Sequence, residues 1–364
     1  STSRASAAAF DLSDLSLTSW NPGLGGGADT LTVSGSTIYI GGSFTRVGSS
    51  MRNHAAAVDT SGAVLPWDPK ICDNDNGSGT HVYGIAIDGS QSYVTGDFPC
   101  AGGRKQMHTA AIGADGILTD WAAATNGPVY SFSRLGSTIY MAGSFTMVNG
   151  VARQYAAAVE SDSSVTTWNP TPAGDRPVSV IATASRVYLG GFFNSIGGTS
   201  VQGIGAVDPT TGALDAGFNV GIDGHVRAMA LSADGAHLYF GGGFSLVGAF
   251  DTDPSVGGYE VPGTARANVA SVDAVTGALD AGFQADTDRV VEAVAVDATR
   301  SRVLLGGEFG DVNGTTRVRA AAVSDSTGAL DATWQPPIGS GGFGAVYRFA
   351  VTPDKIYIGG YNDM

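Results

Sequence analysis

A short signature returns along this 364-residue chain at intervals of roughly fifty residues, and it constrains the fold more than any other feature. It is an apolar run, two small residues, one variable residue and an aromatic, as in IYIGGSF at residues 38–44. The seven copies end at Phe44, Phe98, Phe145, Phe193, Phe244, Phe309 and Asn362. A fixed period of this length, with several short strands in each unit, predicts a β-propeller whose four-stranded blades surround a central channel.

A second signature follows the first six copies: a run of small residues such as AAAV, and then a large aromatic within about eleven residues. Its seventh copy stands at the front of the chain, as Ala7, Ala8, Ala9 and Phe10 followed by Trp20. This offset requires the two ends of the chain to meet. We therefore expect an all-β, seven-bladed propeller of antiparallel blades, in one domain over residues 1–364. Residues 1–22 are the outer strands that complete the blade begun at residues 343–364.

The amino-acid composition argues against two classes of partner, nucleic acid and the membrane interior. The chain has 54 Gly and only 14% charged residues, which suits short strands joined by tight turns, and its net charge is −14. Binding to a phosphate backbone depends on Lys and Arg contacts, so nucleic acid is not an expected partner. No apolar run approaches the eighteen residues of a membrane-spanning helix, so membrane insertion is not expected either.

The two cysteines suggest a location. Cys72 precedes the first strand of the second unit and Cys100 follows its second strand, and both connections lie on the same face of a propeller. A disulfide is therefore predicted, with two unpaired thiols as the alternative. Disulfides persist in oxidising compartments, which indicates an extracellular or cell-surface protein.

One unit carries an insertion. The spacing between Phe244 and Phe309 exceeds every other spacing, and the excess falls at residues 249–265, after the second strand. We expect it on the face that bears the Cys72 and Cys100 loops, and elaborated loops are where binding usually occurs.

The repeat also resembles a known family. The stretch VYLGGFFNSIGGTSVQGIGAVDPTTGALDAGFN at residues 187–219 resembles the bacterial delta-60 repeat, with its GG-x-F strand end, small-residue strand and T-G-x-L-D turn. All seven units look similar to it, and the related Rax2-type and kelch propellers share parts of the pattern. The resemblance implies a propeller common in secreted or surface-attached proteins. It implies neither a reaction nor a ligand.

Residues that recur in the repeats are interpreted as architecture. An arginine stands three positions before the small-residue strand in five units, at Arg4, Arg52, Arg153, Arg266 and Arg317. Its five donors are suited to satisfying loop carbonyls. The repeated Trp or Phe after each small-residue strand is likewise expected to pack within the blades, with a sugar-stacking platform as the alternative.

Ligand recognition is predicted where the repeats differ. At the start of the first strand the aligned residues are Asp29, Tyr83, Tyr130, Ser179, Arg227, Glu292 and Tyr347. Tyrosines, an arginine and carboxylates around one funnel are suited to binding a carbohydrate or a peptide by stacking and hydrogen bonding. We therefore predict Asp29, Tyr83, Tyr130, Arg227, Glu292 and Tyr347 as ligand-binding residues. The alternative is a wet channel lining.

No cofactor is predicted, with calcium as the alternative. Asp73 and Asp75 stand near glycines, and Asp251 and Asp253 stand in the insertion. These four are the candidate metal ligands, although calcium takes six to eight oxygens and the further carboxylates of an EF-hand are missing. Solvated polar turns are the competing interpretation.

No catalytic residue is predicted, because the chain has no nucleophile elbow, phosphate loop or HExxH motif. The expected function is a secreted or surface binding and adhesion module that recognises a carbohydrate or extracellular protein through its loop-rich face. The alternatives are a carbohydrate-active enzyme, in which carboxylates such as Asp29 and Glu292 would cleave glycosides, and a subunit of an extracellular assembly.

Overall fold

The computed structural model describes residues 4–74, 79–248, 263–338 and 344–363, and within them the chain is all-β. Strands alternate with tight turns, and the helical structure in these ranges is one 3₁₀ turn at Ala298–Arg300. No helix in the described parts of the chain is long and apolar enough to cross a membrane.

The described residues form seven antiparallel sheets of three strands, which we number 1 to 7, with the second strand in the middle. The strands, in the order first, second and third, are Ala28–Ser34, Thr37–Gly42 and Ala55–Asp59 in sheet 1; His81–Asp88, Gln91–Asp97 and Thr109–Gly113 in sheet 2; Val129–Leu135, Thr138–Gly143 and Ala156–Glu160 in sheet 3; Pro177–Ala182, Val187–Gly191 and Ile204–Val207 in sheet 4; His225–Leu231, His237–Gly243 and Val269–Asp273 in sheet 5; Val291–Asp297, Arg302–Gly307 and Ala320–Ser324 in sheet 6; and Val346–Val351, Lys355–Asp363 and Ala5–Asp11 in sheet 7.

Burial explains the residue types of these strands. The β-branched Ile38 and Ile40 of the second strand in sheet 1 are fully buried in the core that this sheet shares with its neighbour. The third strand consists of small residues because both of its faces are covered. Ala56 packs in the core cluster with Ile38, whereas Ala55 and Ala57 pack in the next cluster with Trp67.

Within the described residues the expected fourth strand is not formed, and each sheet has three strands where four were predicted. The segment after each third strand makes a single bridge, at Phe10–Leu17, Val58–Val64, Ile112–Leu118, Val159–Val165, Val207–Leu214, Val272–Leu279 and Val323–Leu330. The chain then turns away. In sheet 3, Thr166 N donates to Ala158 O at 2.9 Å, and the Thr166 hydroxyl accepts from Trp168 N at 3.2 Å. This turn delivers the indole to the core instead of continuing the ladder.

Successive sheets contact one another through their first strands, and the first strand of sheet 7 contacts that of sheet 1. Side chains bond across some of these boundaries. The Ser131 hydroxyl accepts from Val180 N at 3.2 Å, and the Ser133 hydroxyl accepts from Ala182 N at 2.9 Å. Thr32 Oγ1 donates to Ile85 O at 2.5 Å. The first strands are therefore tied edge to edge as well as packed.

Both ends of the chain build sheet 7. Ala5–Asp11 pairs with Lys355–Asp363, in a register that places Ala9 opposite Tyr357 and Asp11 opposite Lys355. The expectation that residues from the two termini share one sheet is confirmed.

The recurring aromatics and arginines are structural, as expected. Trp20 meets Tyr357 edge to face at 5.1 Å, and its Nε1 donates to Asp59 O of the neighbouring unit at 3.1 Å. Arg153 Nη2 donates to Thr166 O at 2.6 Å, and Arg4 Nη2 donates to Thr18 O at 2.8 Å. Each guanidinium thereby holds the segment that leads to the aromatic of its own unit.

A short hairpin follows the second strand in sheets 1 to 6. The hairpins pair Arg46–Val47 with Ser50–Met51, Cys100–Ala101 with Arg104–Lys105, Met147–Val148 with Val151–Ala152, Ser195–Ile196 with Thr199–Ser200 (and Pro172–Ala173), Leu246–Val247 with Thr264–Ala265, and Asp311–Val312 with Thr315–Thr316. The insertion therefore extends from a hairpin equivalent to the one that carries Cys100. Its residues 249–262 lie outside the described part of the chain.

Candidate functional site

Every first strand contains a β-bulge near its start. In sheet 1 the register passes from Ala28 opposite Gly42 to Thr30 opposite Gly41, so Asp29 is the extra residue. The bulged residues in sheets 1 to 7 are Asp29, Tyr83, Tyr130, Val178, Arg227, Glu292 and Tyr347. A bulge leaves its extra residue out of the ladder and re-aims the side chain. All six predicted ligand-binding residues are therefore bulged residues at equivalent places.

The glycines of the repeated signature explain how the bulge is accommodated. A Cβ on Gly42 would lie 2.1 Å from Gly27 O, and one on Gly242 would lie 2.0 Å from His225 O. The backbone of the first strand thus occupies the space of a side chain, and only glycine permits that approach.

One aligned position differs from the sequence prediction. In sheet 4 the bulged residue is Val178, not Ser179, because Pro177 pairs with Gly191 and Ser179 with Gly190. Neither Val178 nor Ser179 has a charge or a ring that would have marked the position in the sequence.

The bulged side chains contact residues from two further repeat positions. One is the residue two places before the bulge, and the other is the variable residue of GG-x-F. We call the following connected set the belt: Asp29, His81, Tyr83, Tyr130, Arg176, Phe192, Arg227, Glu292, Tyr347 and Tyr361.

The belt begins at the boundary of sheets 7, 1 and 2. His81 Nδ1 lies 2.7 Å from Asp29 Oδ2 and 3.4 Å from the Tyr361 hydroxyl. The Tyr361 hydroxyl also lies 2.5 Å from Ser43 Oγ. The hydrogen bond to Asp29 raises the pKa of His81, and burial raises the pKa of Tyr361 to about 12. A protonated imidazole and a neutral phenol are thus favoured here.

An aromatic arc follows through sheets 2 and 3. The ring of His81 stacks on Tyr83 at 5.3 Å, and Tyr83 meets Tyr130 at 5.3 Å. The guanidinium of Arg176 lies 5.5 Å from the Tyr130 ring. The Tyr130 hydroxyl accepts from Ser144 Oγ at 3.0 Å and keeps its own proton to donate. Burial raises the pKa of Tyr83, so this phenol also stays neutral.

A cationic arc crosses sheets 4 and 5. Arg176 and Arg227 lie 5.5 Å and 4.8 Å from the ring of Phe192, and His225 stacks on that ring at 4.4 Å. Arg227 Nη1 lies 3.8 Å from Glu292 Oε2. Both arginine side chains remain 37% exposed, so they can reach a ligand in solvent. Cation–π contact holds each guanidinium against the ring, and Arg176 Nη1 also donates to Asp175 Oδ1 at 3.0 Å.

Glu292 and Tyr347 continue the belt into sheets 6 and 7. Burial raises the pKa of Glu292, and Glu308 adds to the rise while Arg227 opposes it. Burial also raises the pKa of Tyr347, with Glu292 the next largest cause. Tyr347 meets Tyr361 edge to face at 5.6 Å, which returns the belt to its start.

The structure therefore brings Asp29, Tyr83, Tyr130, Arg227, Glu292 and Tyr347 into one connected surface. Sequence reasoning missed four members: His81, Arg176, Phe192 and Tyr361. A signal was available for Phe192 and Tyr361, since they occupy the x of GG-x-F, which otherwise holds Ser43, Asp97, Ser144, Gly243 and Glu308. Variation inside a constant motif marks these positions in the same way as the bulges.

The disulfide between Cys72 and Cys100 is formed, with a Cα–Cα distance of 5.3 Å, and Cys72 N donates to Cys100 O at 3.1 Å. It ties the segment before sheet 2 to the short hairpin that follows the second strand. This hairpin lies at the same end of the strands as the bulges. The disulfide, the flanks of the insertion and the belt therefore share one end of the sheets.

Of the four candidate calcium ligands, Asp73 lies in the described part of the chain. Asp73 lies 2.7 Å from Nε2 of the buried His54, which gives this carboxylate a partner within the protein. Asp75, Asp251 and Asp253 lie outside the described residues. Within the described ranges no group of three or more His, Cys, Asp or Glu side chains is placed to hold a metal. Calcium binding stays a prediction.

The similarity of this chain to known proteins is to solved structures. No protein-family model matches it, and no curated protein matches it. Among solved structures it is similar to the computationally designed Ika8 protein, with 10% sequence identity, a TM-score of 0.47 and coverage of 93% of this chain and 96% of that one. A likeness at this level carries no conclusion about function, and the delta-60 resemblance remains an expectation from the repeats.

Proposed function

We propose that this protein is an extracellular binding module, built as a seven-bladed propeller of delta-60-like repeats, that recognises carbohydrate through the belt. The observation that carries the proposal is the position of the belt residues. They occupy the bulge and its neighbouring positions, where the repeats vary, while the surrounding glycines, arginines and aromatics repeat.

The propeller geometry is supported by the circular order of contacts. Each first strand meets the next, the seventh meets the first, and the seventh sheet draws strands from both termini. In a propeller built from seven sheets in this order, the bulged residues would surround one axis.

The chemistry of the belt suits sugars. Tyr83 and Tyr130 combine an apolar ring face with a hydroxyl, and such side chains stack on the C–H face of a sugar while hydrogen-bonding its hydroxyls. Arg176 and Arg227 supply exposed donors beside the rings. A protein partner is the competing ligand class, since Tyr and Arg also dominate protein interfaces.

An extracellular or surface location is supported by the disulfide. Disulfides are rare in reducing compartments and common in secreted proteins. The chain places its disulfide at the same end as the belt, where it restrains the hairpin of sheet 2.

The first test is a glycan-array and soluble-polysaccharide screen of the purified chain, with calcium and with chelator in parallel. Calcium-independent binding is expected, because the belt needs no metal. Calcium-dependent binding would indicate a different site, with Asp73, Asp75 and the insertion carboxylates as calcium ligands. If no carbohydrate binds, the proposal fails, and a surface pull-down would then test a protein partner.

One observation favours a second function, glycoside hydrolysis. A general acid needs a carboxyl group that is protonated near neutral pH, and burial raises the pKa of Glu292. Product release from a polysaccharide panel, abolished in Glu292→Gln, would support an enzyme. Binding without product would support the module.

A further inference from the structure

A cavity of about 220 Å³ lies between the first strands of sheets 7, 1, 2 and 3. Its walls include the small residues Thr30, Gly84 and Ser131, the rings of Tyr83 and Tyr130, and the side chain of Arg348. Pockets for drug-sized ligands measure roughly 300–1,000 Å³, so this cavity has room for a single small group.

Arg348 has an unusual identity for its place in the repeat. It follows the bulged residue and pairs with Gly359. The equivalent residues in sheets 1 to 6 are Thr30, Gly84, Ser131, Ser179, Ala228 and Ala293, all of them small. Six units build this position without a long side chain, so the fold itself does not require the arginine.

The side chain of Arg348 is half-buried, and its guanidinium has no partner among the described residues. Across residues 4–74, 79–248, 263–338 and 344–363 it has no hydrogen-bond or ion-pair acceptor, and its Nε is buried without a partner. Burial lowers the pKa of Arg348, and the charge that opposes this effect is Asp29. The Asp29 carboxylate, however, is hydrogen-bonded to His81 at 2.7 Å. The Nε of Arg153 is likewise buried without a partner, but the Nη atoms of the recurring Arg153 and Arg266 donate to backbone carbonyls.

A half-buried cation without a partner in the protein is suited to an anionic ligand that completes it. The planar fork of arginine matches the two oxygens of a carboxylate. Tyr83 and Tyr130 line the same cavity, and a phenol hydroxyl can donate a hydrogen bond to an anion.

We propose that Arg348 makes this cavity a binding site for a carboxylate, supplied by a small carboxylate-bearing ligand such as the uronic acid residue of an acidic carbohydrate. The choice of a sugar acid rests on the proposed function, because Tyr83 and Tyr130 belong both to the belt and to the cavity wall. The carboxylate itself follows from Arg348 alone.

The test is isothermal titration of the wild-type chain with glucuronate and galacturonate, with glucose and galactose as matched neutral sugars, and with acetate. We expect at least one uronate to bind tenfold or more tightly than its neutral partner. Equal affinity of uronate and hexose would overturn the proposal. If acetate binds as tightly as the uronates, the carboxylate site is supported and the choice of a sugar acid is contradicted.

Two variants locate the site. Arg348→Met should weaken uronate binding tenfold or more, while Arg348→Lys, which keeps the charge and loses the fork, should weaken it less. Neutral glycans found in the array screen should bind both variants as they bind the wild type. Wild-type uronate affinity in Arg348→Met would contradict the assignment.

Stability provides a second readout. Because the guanidinium lacks a partner, Arg348→Met should melt at the same or a higher temperature than the wild type. A clear drop in melting temperature would mean that Arg348 supports the fold, and would overturn the functional interpretation. If no sugar of any kind binds the wild type, the proposed function fails. If neutral glycans bind and the uronates bind no more tightly than the neutral sugars, the Arg348 proposal fails and the proposed function stands.

Discussion

His81 is a titratable belt residue whose side chain contacts two neighbouring sheets. Its imidazole lies between Asp29 of sheet 1 and Tyr361 of sheet 7, while the residue itself starts sheet 2. Because the pKa of His81 is raised above its ordinary value of 6.5, the folded state favours the protonated form. The resulting stability is fully present below pH 6.5 and is lost as the pH rises through the folded-state pKa.

We therefore predict that His81→Gln destabilises the protein more at pH 6 than at pH 8.5, by about 0.5–1 kcal/mol at the lower pH, the range of a partly exposed ion pair. The measurement is urea unfolding of both chains at each pH. Subtracting the wild type at the same pH removes the opposite effect of His108 and His225, whose pKas burial lowers. A difference that does not change with pH would contradict this account.

The bulged first strand and the Gly-Gly end of the second strand form one structural element. The glycine signature, the small-residue third strands and the pairing of the termini were all predictable from sequence, because each leaves a repeated residue pattern. The absence of a regular fourth strand was not predictable. Val64 and Val165 are β-branched residues typical of strands, but each makes a single bridge. The bulge itself left no pattern of its own, and its position in sheet 4 was therefore predicted one residue too late.

Replacing the second glycine tests this element. We predict that Gly42→Ala destabilises the protein by about 1–3 kcal/mol, because the added Cβ would collide with Gly27 O on the backbone. Gly310→Ala is the matched control, since its Cβ would meet only Asp288 Oδ2 at 3.6 Å. Denaturant unfolding of both variants measures the effect. Equal stability of the two variants would show that the bulge does not depend on Gly42.

At the scale of the whole molecule, the first and last strands of the chain pair in sheet 7. Sequence reasoning predicted this from the displaced half-unit, and the register of Ala5–Asp11 on Lys355–Asp363 gives it residue detail. The connected surface that the belt forms could be predicted only in part. Repeat alignment found the bulged residues, but contacts such as Phe192 with Arg227 depend on how neighbouring sheets pack.

Cysteines introduced at two directly paired residues test whether the terminal strands of sheet 7 lie side by side. In the Asp11→Cys, Lys355→Cys double variant, oxidation should form a cross-link, because these residues are direct partners in the ladder. Closing almost the whole chain should stabilise it by up to about 5 kcal/mol in the chain-entropy model. Mobility on a non-reducing gel and thiol titration report the bond. An Asp11→Cys, Asp162→Cys pair is the control and should stay reduced, and two free thiols in the first pair would contradict the closure.

The central claim is that the belt binds the ligand, and affinity titration with the strongest glycan from the array tests it most directly. Tyr130→Ala and Arg227→Ala should each weaken binding tenfold or more, because they remove a stacking ring and an exposed donor. Arg134→Ala is the control, since Arg134 lies at the other end of a first strand, paired with Asp88 at 2.7 Å, and should leave the affinity unchanged. Wild-type affinity in both belt variants would contradict the claim.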